Sequence, residues 1–261
     1  MTKETSNYTE KQNEANAADN VFIADKADKA KSYCGRDDLR KAVIPDGAAA
    51  VGQSAFEGCV SLTEVSIPDS AASIGDFAFA KCRSLTSIVI PAGVKYIGFR
   101  AFKGCSSLTG VRIPDGVSFI DSETFFGCEN LSAAHIPDSV EHIRQYAFCG
   151  CKNLTAINIP GGVRRILYGA FMQCGSLRQI SLPDGLESIG HLAFGNCCSL
   201  TEIRIPDSVS HIYTGAFYGC SNLKNIYYRG VHYTSLEAFG KNASDYDIAA
   251  YPSEEESFVY S

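Results

Sequence analysis

Cysteine is the residue type in this sequence with the clearest capacity for chemistry. Eight of the eleven cysteines recur at intervals of 23 residues, in the column Cys59, Cys82, Cys105, Cys128, Cys151, Cys174, Cys197 and Cys220. A thiolate can act as a nucleophile or as a metal ligand. A metal site, however, needs ligands that converge from several directions, whereas a periodic column places its sulfur atoms in a straight row.

The fixed period therefore favours a structural role for this cysteine column. Free cysteine is among the most often buried residue types, so we predict that the column packs as a buried wall between successive repeats. Side chains aligned in parallel rarely reach the disulfide torsion of about ±90°, which argues against bridges between neighbouring repeats. Three cysteines lie outside the column, and we predict that they are exposed or reactive: Cys34, Cys149 and Cys198.

A row of aspartates is the second candidate for chemistry, because carboxylates bind divalent cations. Each aspartate directly follows a proline, at Asp46, Asp69, Asp115, Asp138, Asp184 and Asp207. Aspartate after proline is a common turn residue, and Ala92 and Gly161 interrupt the row. We therefore predict turns at these positions, with no metal site and no cofactor.

The elements that must position these residues follow from an internal repeat. All nine prolines fall on one register, at Pro45, Pro68, Pro91, Pro114, Pro137, Pro160, Pro183, Pro206 and, two periods later, Pro252. A phenylalanine column from Phe56 to Phe217 and a leucine column from Leu62 to Leu223 keep the same interval. A period of about 20–50 residues is typical of stacked repeat architectures.

Each repeat begins with a strand signal, as in Leu108, Val111, Ile113 and Pro114. The alternation predicts a short strand that ends at the proline, because proline cannot donate to a sheet ladder. The chain then returns through inward-facing apolar residues whose spacing suits only a short helical or 3₁₀ turn.

A single repeat is too small to fold alone. It offers about six to eight apolar side chains at ~1.5–3 kcal/mol each, against a backbone ordering cost of ~1–2 kcal/mol per residue. Stacked repeats cover one another's apolar faces and pair their strands in parallel, about 4.8 Å apart. The sequence therefore predicts a solenoid.

The motif Leu-x-x-Ile-x-Ile-Pro-Asp-Ser-Val-x-x-Ile-x-x-x-Ala-Phe-x-Gly-Cys-x-x-Leu resembles the BspA-like, Treponema pallidum type of leucine-rich repeat, over roughly residues 39 to 252. The resemblance implies an α/β solenoid of 23-residue repeats, a right-handed leucine-rich-repeat superhelix with a parallel sheet of about ten strands on its concave face. Many members resemble surface adhesins or receptors that bind host proteins, which implies binding and no catalysis.

We expect three parts, a flexible N-terminal segment and cap (1–34), the solenoid (35–252) and an acidic tail (253–261). The cap is expected to include a short helix that places Phe22 and Ile23 against the first repeat. After Tyr228 the pattern degrades, but Tyr246, Ala249 and Tyr251 return to register. They predict a tenth and last strand.

Charge and hydropathy exclude several classes of partner. The formal net charge is −6 and the pI is near 5.4, whereas phosphate binding needs clustered lysines and arginines. We expect no nucleic-acid partner and, without a long apolar run, no membrane insertion. The N-terminal sequence lacks the apolar core of a signal peptide, which predicts a cytoplasmic location, whereas the family resemblance implies the cell surface or secretion.

Binding is expected where the repeat varies, at the two outward residues that flank the middle core position of each strand. One of these columns has small residues at its centre, and the other has an arginine, a histidine and an asparagine in consecutive repeats. The predicted binding residues are Arg112, His135, Asn158, Glu202, Arg204 and Tyr227. A solvated sheet face without a ligand explains the same polar residues.

Two functions remain open for this surface. The first is a non-enzymatic protein-binding module, adhesin-like or a scaffold, that acts as a monomer and binds a host or extracellular protein. The alternative is a structural spacer without a dedicated ligand. An enzyme is not expected, because the sequence contains no nucleophile elbow, phosphate-cradling glycine loop or zinc motif.

Overall fold

The structure is a computed structural model that describes residues 21–23 and 33–243. Residues 33–228 wind as successive coils of 23 residues, which confirms the predicted solenoid. The described strands, in chain order, are β1 (Val21–Ile23), β2 (Lys41–Val43), β3 (Ala50–Val51), β4 (Glu64–Ser66), β5 (Ser73–Ile74), β6 (Tyr96–Ile97), β7 (Gly110–Arg112), β8 (Phe119–Ile120), β9 (Ala133–His135), β10 (His142–Ile143), β11 (Ala156–Asn158), β12 (Arg165–Ile166), β13 (Gln179–Ser181), β14 (Ser188–Ile189), β15 (Glu202–Ile205), β16 (His211–Ile212), β17 (Asn225–Tyr228) and β18 (Val231–Tyr233). One helix follows them, α1 (Leu236–Ala243).

The predicted sheet is the concave ladder, formed by the strands that precede the prolines. Its strands are parallel and shifted by one repeat, so that Lys41 lies opposite Glu64 and Arg112 lies opposite His135. The middle residue of each strand faces the core and its neighbours face outward, as the alternation predicts. Residues 87–89 lie at the equivalent place in their coil but form no regular strand.

A second parallel ladder runs along another side of the solenoid, and the sequence analysis did not predict it. It consists of two-residue strands, in one set β3-β5-β6 and in a second set β8-β10-β12-β14-β16. Each strand supplies one core residue, such as Ile120 or Ile143, after the turn that follows the proline. These strands are too short to show a periodicity that sequence reasoning could detect.

The return segment around each phenylalanine is a chain of turns with the i→i−3 hydrogen bonds of the expected 3₁₀ turn, but without a regular helix. In one coil the amides of Glu123, Phe125 and Gly127 donate to the next coil, at 2.9, 2.8 and 2.8 Å. The amides between them donate three residues back within their own coil, as Phe126 does to the Glu123 carbonyl. This alternation needs a positive φ two residues before and two residues after the phenylalanine, at 54° and 68° here, which explains the glycine of the Phe-x-Gly-Cys motif.

The core is a set of side-chain columns that run along the solenoid axis. Phe56 through Phe217 stack ring on ring, with centroids 5.3–5.6 Å apart and nearly parallel planes. The leucine column beside them, from Leu62 to Leu223, is also buried. Because each ring is covered by the rings of both neighbouring coils, stability resides in the interfaces between coils.

The segment in which a capping helix was expected is described only in part, because residues 24–32 lie outside the described residues. Residues 21–23 form strand β1, which pairs in parallel with β2, and Phe22 lies opposite Ala42. Tyr33 stacks on Phe56 at 5.6 Å and so begins the ring column one repeat earlier. The predicted flexible segment, residues 1–20, lies outside the described residues.

The C-terminal end is closed by a hairpin that the sequence analysis missed. Strand β18 turns back after Arg229 and Gly230, which both have positive φ, and pairs antiparallel with β17. It occupies the edge where a further parallel strand would pair. The predicted tenth strand and the acidic tail lie outside the described residues, and the α/β label is loose because helix content is minimal.

Candidate functional site

The cysteine column forms a buried wall, as predicted. Its eight thiols are buried, and all eleven cysteines of the chain are free, without disulfides. Each thiol of the column donates to a backbone carbonyl of the preceding coil, 2.9–3.4 Å away, at Tyr33 for Cys59 and at a column phenylalanine for the others. Burial raises the pKa of Cys59 to about 11 and that of Cys105 to about 12, so these thiols are poor nucleophiles.

The prediction for the three cysteines outside the column was right for two of them. Cys34 and Cys198 are exposed, but Cys149 is buried at 1% exposure. Burial raises the pKa of Cys149 to about 12. The prediction of an exposed or reactive side chain therefore failed for Cys149.

The proline–aspartate pairs form turns. The carbonyls of Pro45, Pro68 and Pro114 accept hydrogen bonds from amides three residues later, at 3.2, 3.0 and 3.4 Å. In the part of the chain that the structure describes, no three histidine, cysteine or acidic side chains are grouped so that they could hold a metal ion.

The predicted binding residues form two groups on the concave ladder. The first group lies on consecutive strands, with Arg112 of β7 directly opposite His135 of β9 and Asn158 on β11. All three side chains are exposed. They form a short strip of hydrogen-bond donors that projects from the sheet, as the sequence predicted.

The second group, the concave cluster, lies on β15, β17 and β18. Arg204 pairs with Glu202 at 3.0 Å and lies over the ring of Tyr227, 4.0 Å from its centroid. The other face of Tyr227 stacks on His232 at 4.5 Å, and a His232 ring nitrogen lies 3.1 Å from the Asn225 side-chain oxygen. The strand β13, with Ser181, separates this cluster from the first group.

Sequence reasoning missed His232, because it belongs to the antiparallel strand and not to the repeat. The signal was Arg229-Gly230 at the position where a proline is skipped. Two residues of positive φ are the turn of a two-residue hairpin, and glycine favours that turn.

A groove of about 690 Å³ opens on the concave face beside the concave cluster. Strands β13 and β15 line it, with Gln179, Ser181, Glu202 and Arg204 among its walls. The described strands β13 and β15 are neighbours but do not belong to one hydrogen-bonded sheet. Further along the face, Val89 is 80% exposed, which is unusual for an apolar side chain.

A different set of charges, the lateral cluster, lies near the turns at residues 100–144. Glu123 accepts hydrogen bonds from Arg100 and Lys103, both at 2.6 Å, and Asp121 accepts one from Arg144 at 3.0 Å. Both carboxylates belong to buried residues, at 7% and 8% exposure. The cations also lie over the rings of Phe99, Phe126 and Phe119, at 4.5, 4.7 and 3.8 Å from the centroids.

The lateral cluster shifts the ionisation of its members. Burial opposes the charged form of Glu123, but the hydrogen bonds from Arg100 and Lys103 outweigh it and lower the pKa of Glu123. Tyr96 lies beside the cluster, with its hydroxyl 3.4 Å from an Asp121 oxygen, and burial, followed by the charges of Asp76 and Asp121, raises its pKa to about 12. Both carboxylates of the cluster are paired with its cations, so they offer little to a ligand, and loss of either carboxylate would leave a cation without its partner.

The sequence matches a family model described as the BspA type leucine rich repeat region, over residues 29–155 and 141–254. The chain belongs to this family. This match confirms the resemblance that the repeat motif suggested. Leucine-rich repeat proteins generally mediate protein interactions, and their fold is typically not enzymatic.

Two solved structures place this BspA-type chain among leucine-rich repeat proteins. A leucine-rich repeat protein from Bacteroides ovatus aligns with 30% identity and a TM-score of 0.69, over 79% of this chain and 58% of that one. A leucine rich cell surface protein from Faecalibacterium prausnitzii aligns with 31% identity and a TM-score of 0.51, over 77% of this chain and 62% of that one. The chain thus spans about three fifths of the length of these two structures.

No curated protein matches the sequence. Helix α1, of eight residues, is the sole helix in the described part of the chain, and no described helix has the length and apolar character needed to cross a bilayer.

Proposed function

We propose that this chain is a protein-binding repeat module, adhesin-like or a scaffold, that binds its partner with the concave sheet face. The observation that carries the proposal is the concave groove of about 690 Å³, bordered by the Arg204–Tyr227 stack. Arginine and tyrosine are among the residues that dominate protein–protein binding energy, because they combine apolar area with directed hydrogen bonds.

The size and chemistry of the face support this proposal. The concave strands follow one another about 4.8 Å apart, so the face is about 40 Å long, enough to bury the ~800 Å² per partner of an ordinary interface. Exposed apolar residues at Val43 and Val89 lie on the same outward column as Arg112, His135 and Arg204. Apolar and charged groups on one face suit a protein surface better than a small ion.

The partner that we propose is a host or extracellular protein, bound by a monomer of this chain at the cell surface. The surface location is supported by the relative from Faecalibacterium prausnitzii, which is described as a cell surface protein. Protease treatment of intact cells tests it, because a surface protein is digested while cytoplasmic markers remain intact.

The binding test is charge reversal on the concave face. The double variant Arg112→Glu/Arg204→Glu changes both groups of predicted binding residues, and we expect it to weaken binding of a partner captured by the unaltered chain at least ~10-fold. The control Arg83→Glu/Arg165→Glu makes the same change in net charge at exposed positions off the concave ladder.

Binding is measured by calorimetry with the purified partner. Equal affinity of the concave variant and the unaltered chain would remove the concave face from the proposal. Failure of the unaltered chain to capture any protein would favour the spacer alternative.

A further inference from the structure

Three of the proline–aspartate turns contain the dipeptide Asp-Gly, at Asp46-Gly47, Asp115-Gly116 and Asp184-Gly185. Asp-Gly cyclises more readily than other aspartyl dipeptides, because glycine has no Cβ to obstruct the approach of its nitrogen to the aspartate carboxyl carbon. The three turns close with the same hydrogen bond to the proline carbonyl, at 3.2, 3.4 and 3.0 Å. They occupy one position of the repeat, so their surroundings can be compared directly.

In the first two turns the glycine amide is held by the next coil. The Gly47 amide donates to the Ser70 hydroxyl at 3.1 Å, and the Gly116 amide donates to the Ser139 hydroxyl at 2.9 Å. Both glycines have a positive φ, at 86° and 92°, as in a type II turn. An amide that donates a hydrogen bond loses its proton slowly, and the nitrogen must lose that proton before it can act as a nucleophile.

The third turn lacks this contact. Ser208 lies at the equivalent position of the next coil and donates to the Leu186 carbonyl at 2.7 Å, but the Gly185 amide has no acceptor among the described residues. Gly185 is outside the left-handed region, so its peptide bond with Asp184 is oriented differently from those of its two counterparts. This turn is held instead at the Gly185 carbonyl, which accepts a hydrogen bond from Arg164 at 3.1 Å.

The carboxyl group that would react is exposed in all three turns. The side chain of Asp184 makes no hydrogen bond or ion pair within the described part of the chain. The same is true of the side chains of Asp46 and Asp115. The three turns therefore differ at the glycine amide and not at the carboxyl group.

We propose that Asp184 is a site of spontaneous isomerisation, where the peptide bond to Gly185 rearranges to an isoaspartyl linkage faster than its two counterparts do. The Gly185 nitrogen attacks the protonated side-chain carboxyl group of Asp184 and forms a new N–C bond. The amide proton and the carboxyl hydroxyl leave together as water, which gives a five-membered succinimide.

Water then opens the succinimide by breaking one of its two N–C bonds. Attack at the side-chain carbonyl restores aspartate. Attack at the main-chain carbonyl leaves Gly185 bonded to the side-chain carbonyl of Asp184 and frees an α-carboxylate. The water lost in the first step is regained in the second, so the product has the composition of the original chain.

The product changes the rim of the concave groove, because Asp184 lines this groove with Ser181 and Arg204. An isoaspartyl linkage adds a methylene group to the backbone of the turn and shortens the acidic side chain. The reaction does not depend on the proposed function. A chain that isomerises but binds no protein would leave this inference intact.

Peptide mapping of the folded full chain compares the three turns. The chain is incubated at about pH 5, where an ordinary aspartate carboxyl group is partly protonated, and isoaspartate is located in tryptic peptides by mass spectrometry with electron-transfer fragmentation. We expect isoaspartate to accumulate at Asp184 at least ~5-fold faster than at Asp46 or Asp115. Equal rates at the three positions would overturn the proposal.

The same incubation in guanidinium chloride removes the structural difference. We expect the three rates to agree within about twofold, because each aspartate then lies between proline and glycine in an unfolded chain. If the unfolded chain kept the ratio of the folded chain, the flanking sequence would set the rates and the proposal would fail. It would also fail if Asp184 stayed intact in the folded chain while the unfolded chain isomerised.

Two serine variants test the role of the glycine amide. Ser139→Ala removes the acceptor of the Gly116 amide, and we expect it to raise the rate at Asp115 at least ~3-fold. Ser208→Ala is the matched control, because each of these hydroxyls donates to a carbonyl of the preceding coil but only Ser139 also holds a glycine amide. The control should leave the rate at Asp184 unchanged.

The two variants are measured by the same peptide mapping. An unchanged rate at Asp115 in Ser139→Ala, or a faster rate at Asp184 in Ser208→Ala, would show that the hydroxyl does not protect the glycine amide. Either result would overturn the proposal.

Discussion

The lateral cluster and the concave cluster contain the same types of residue but differ in how their charges are satisfied. In the lateral cluster, Glu123 is buried and held by two cations at 2.6 Å. In the concave cluster, Glu202 has Arg204 at 3.0 Å, and both side chains are largely exposed. Burial and the number of partners, rather than residue type, decide which cluster stabilises the coils and which one remains available to a ligand.

The largest expected effect is a difference in thiol reactivity between the buried surroundings of the lateral cluster and the exposed surface. Cys149 lies beside the lateral cluster and is buried, whereas Cys198 is exposed. At pH 8, the pKa of about 12 that burial gives Cys149 lowers its thiolate fraction on the order of a thousandfold, relative to an ordinary thiol of pKa about 8.5.

Labelling of the folded chain with a disulfide reagent measures this difference. We expect fast reaction at Cys34 and Cys198 and reaction of the other cysteines only on unfolding. Fast labelling of Cys149, identified by peptide mapping, would show that the coils around the lateral cluster open easily.

Removal of one buried charge should have the next largest effect. Glu123→Gln keeps the size of the side chain and leaves Arg100 and Lys103 without their anion. Because a broken buried ion pair costs ~3–5 kcal/mol and these cations keep partial contact with water, we expect a loss of about 2 kcal/mol of unfolding free energy. Urea unfolding measures the loss.

Acid should reduce the effect of this substitution. The folded chain lowers the pKa of Glu123, so the ionised carboxylate favours folding. This stabilisation is complete above the unfolded-state pKa of about 4.3 and is lost as the pH falls through the lower, folded-state pKa. The difference in unfolding free energy between the unaltered chain and Glu123→Gln should therefore shrink from pH 7 to about pH 3, and a constant difference would contradict this assignment.

The smallest effect is expected in the concave cluster. Glu202→Gln removes an exposed partner of Arg204, and exposed ion pairs contribute about 0–1 kcal/mol, so we expect a loss below ~0.5 kcal/mol in urea unfolding. A loss as large as that of Glu123→Gln would make the concave cluster a structural network too. Its proposed binding role would then need another explanation.

Much of the architecture could be predicted because the same core positions recur in eight successive repeats. The phenylalanine and cysteine columns keep the interval of 23 residues, and their burial and stacking follow from that interval. The same interval correctly predicted that Arg112, His135 and Asn158 lie on adjacent concave strands. Their role in binding stays a prediction.

Features outside the repeat could not be predicted in this way. Strand β1 pairs with β2 at an offset of 20 residues, from Val21 to Lys41, rather than at the repeat interval. His232 reaches Tyr227 only because β18 runs antiparallel. The buried Glu123 gave no sequence signal, since its burial depends on charged and aromatic side chains of neighbouring coils that meet only after stacking.

The sequence by itself determined the solenoid, its period, its parallel concave strands and its cysteine wall, because each of these is encoded locally and repeated. Only the tertiary structure decided how the described ends close and which charges are buried. Those features depend on contacts between coils that have no common register in the sequence. Each of these contacts occurs at only one place in the solenoid, so it leaves no repeated pattern in the sequence.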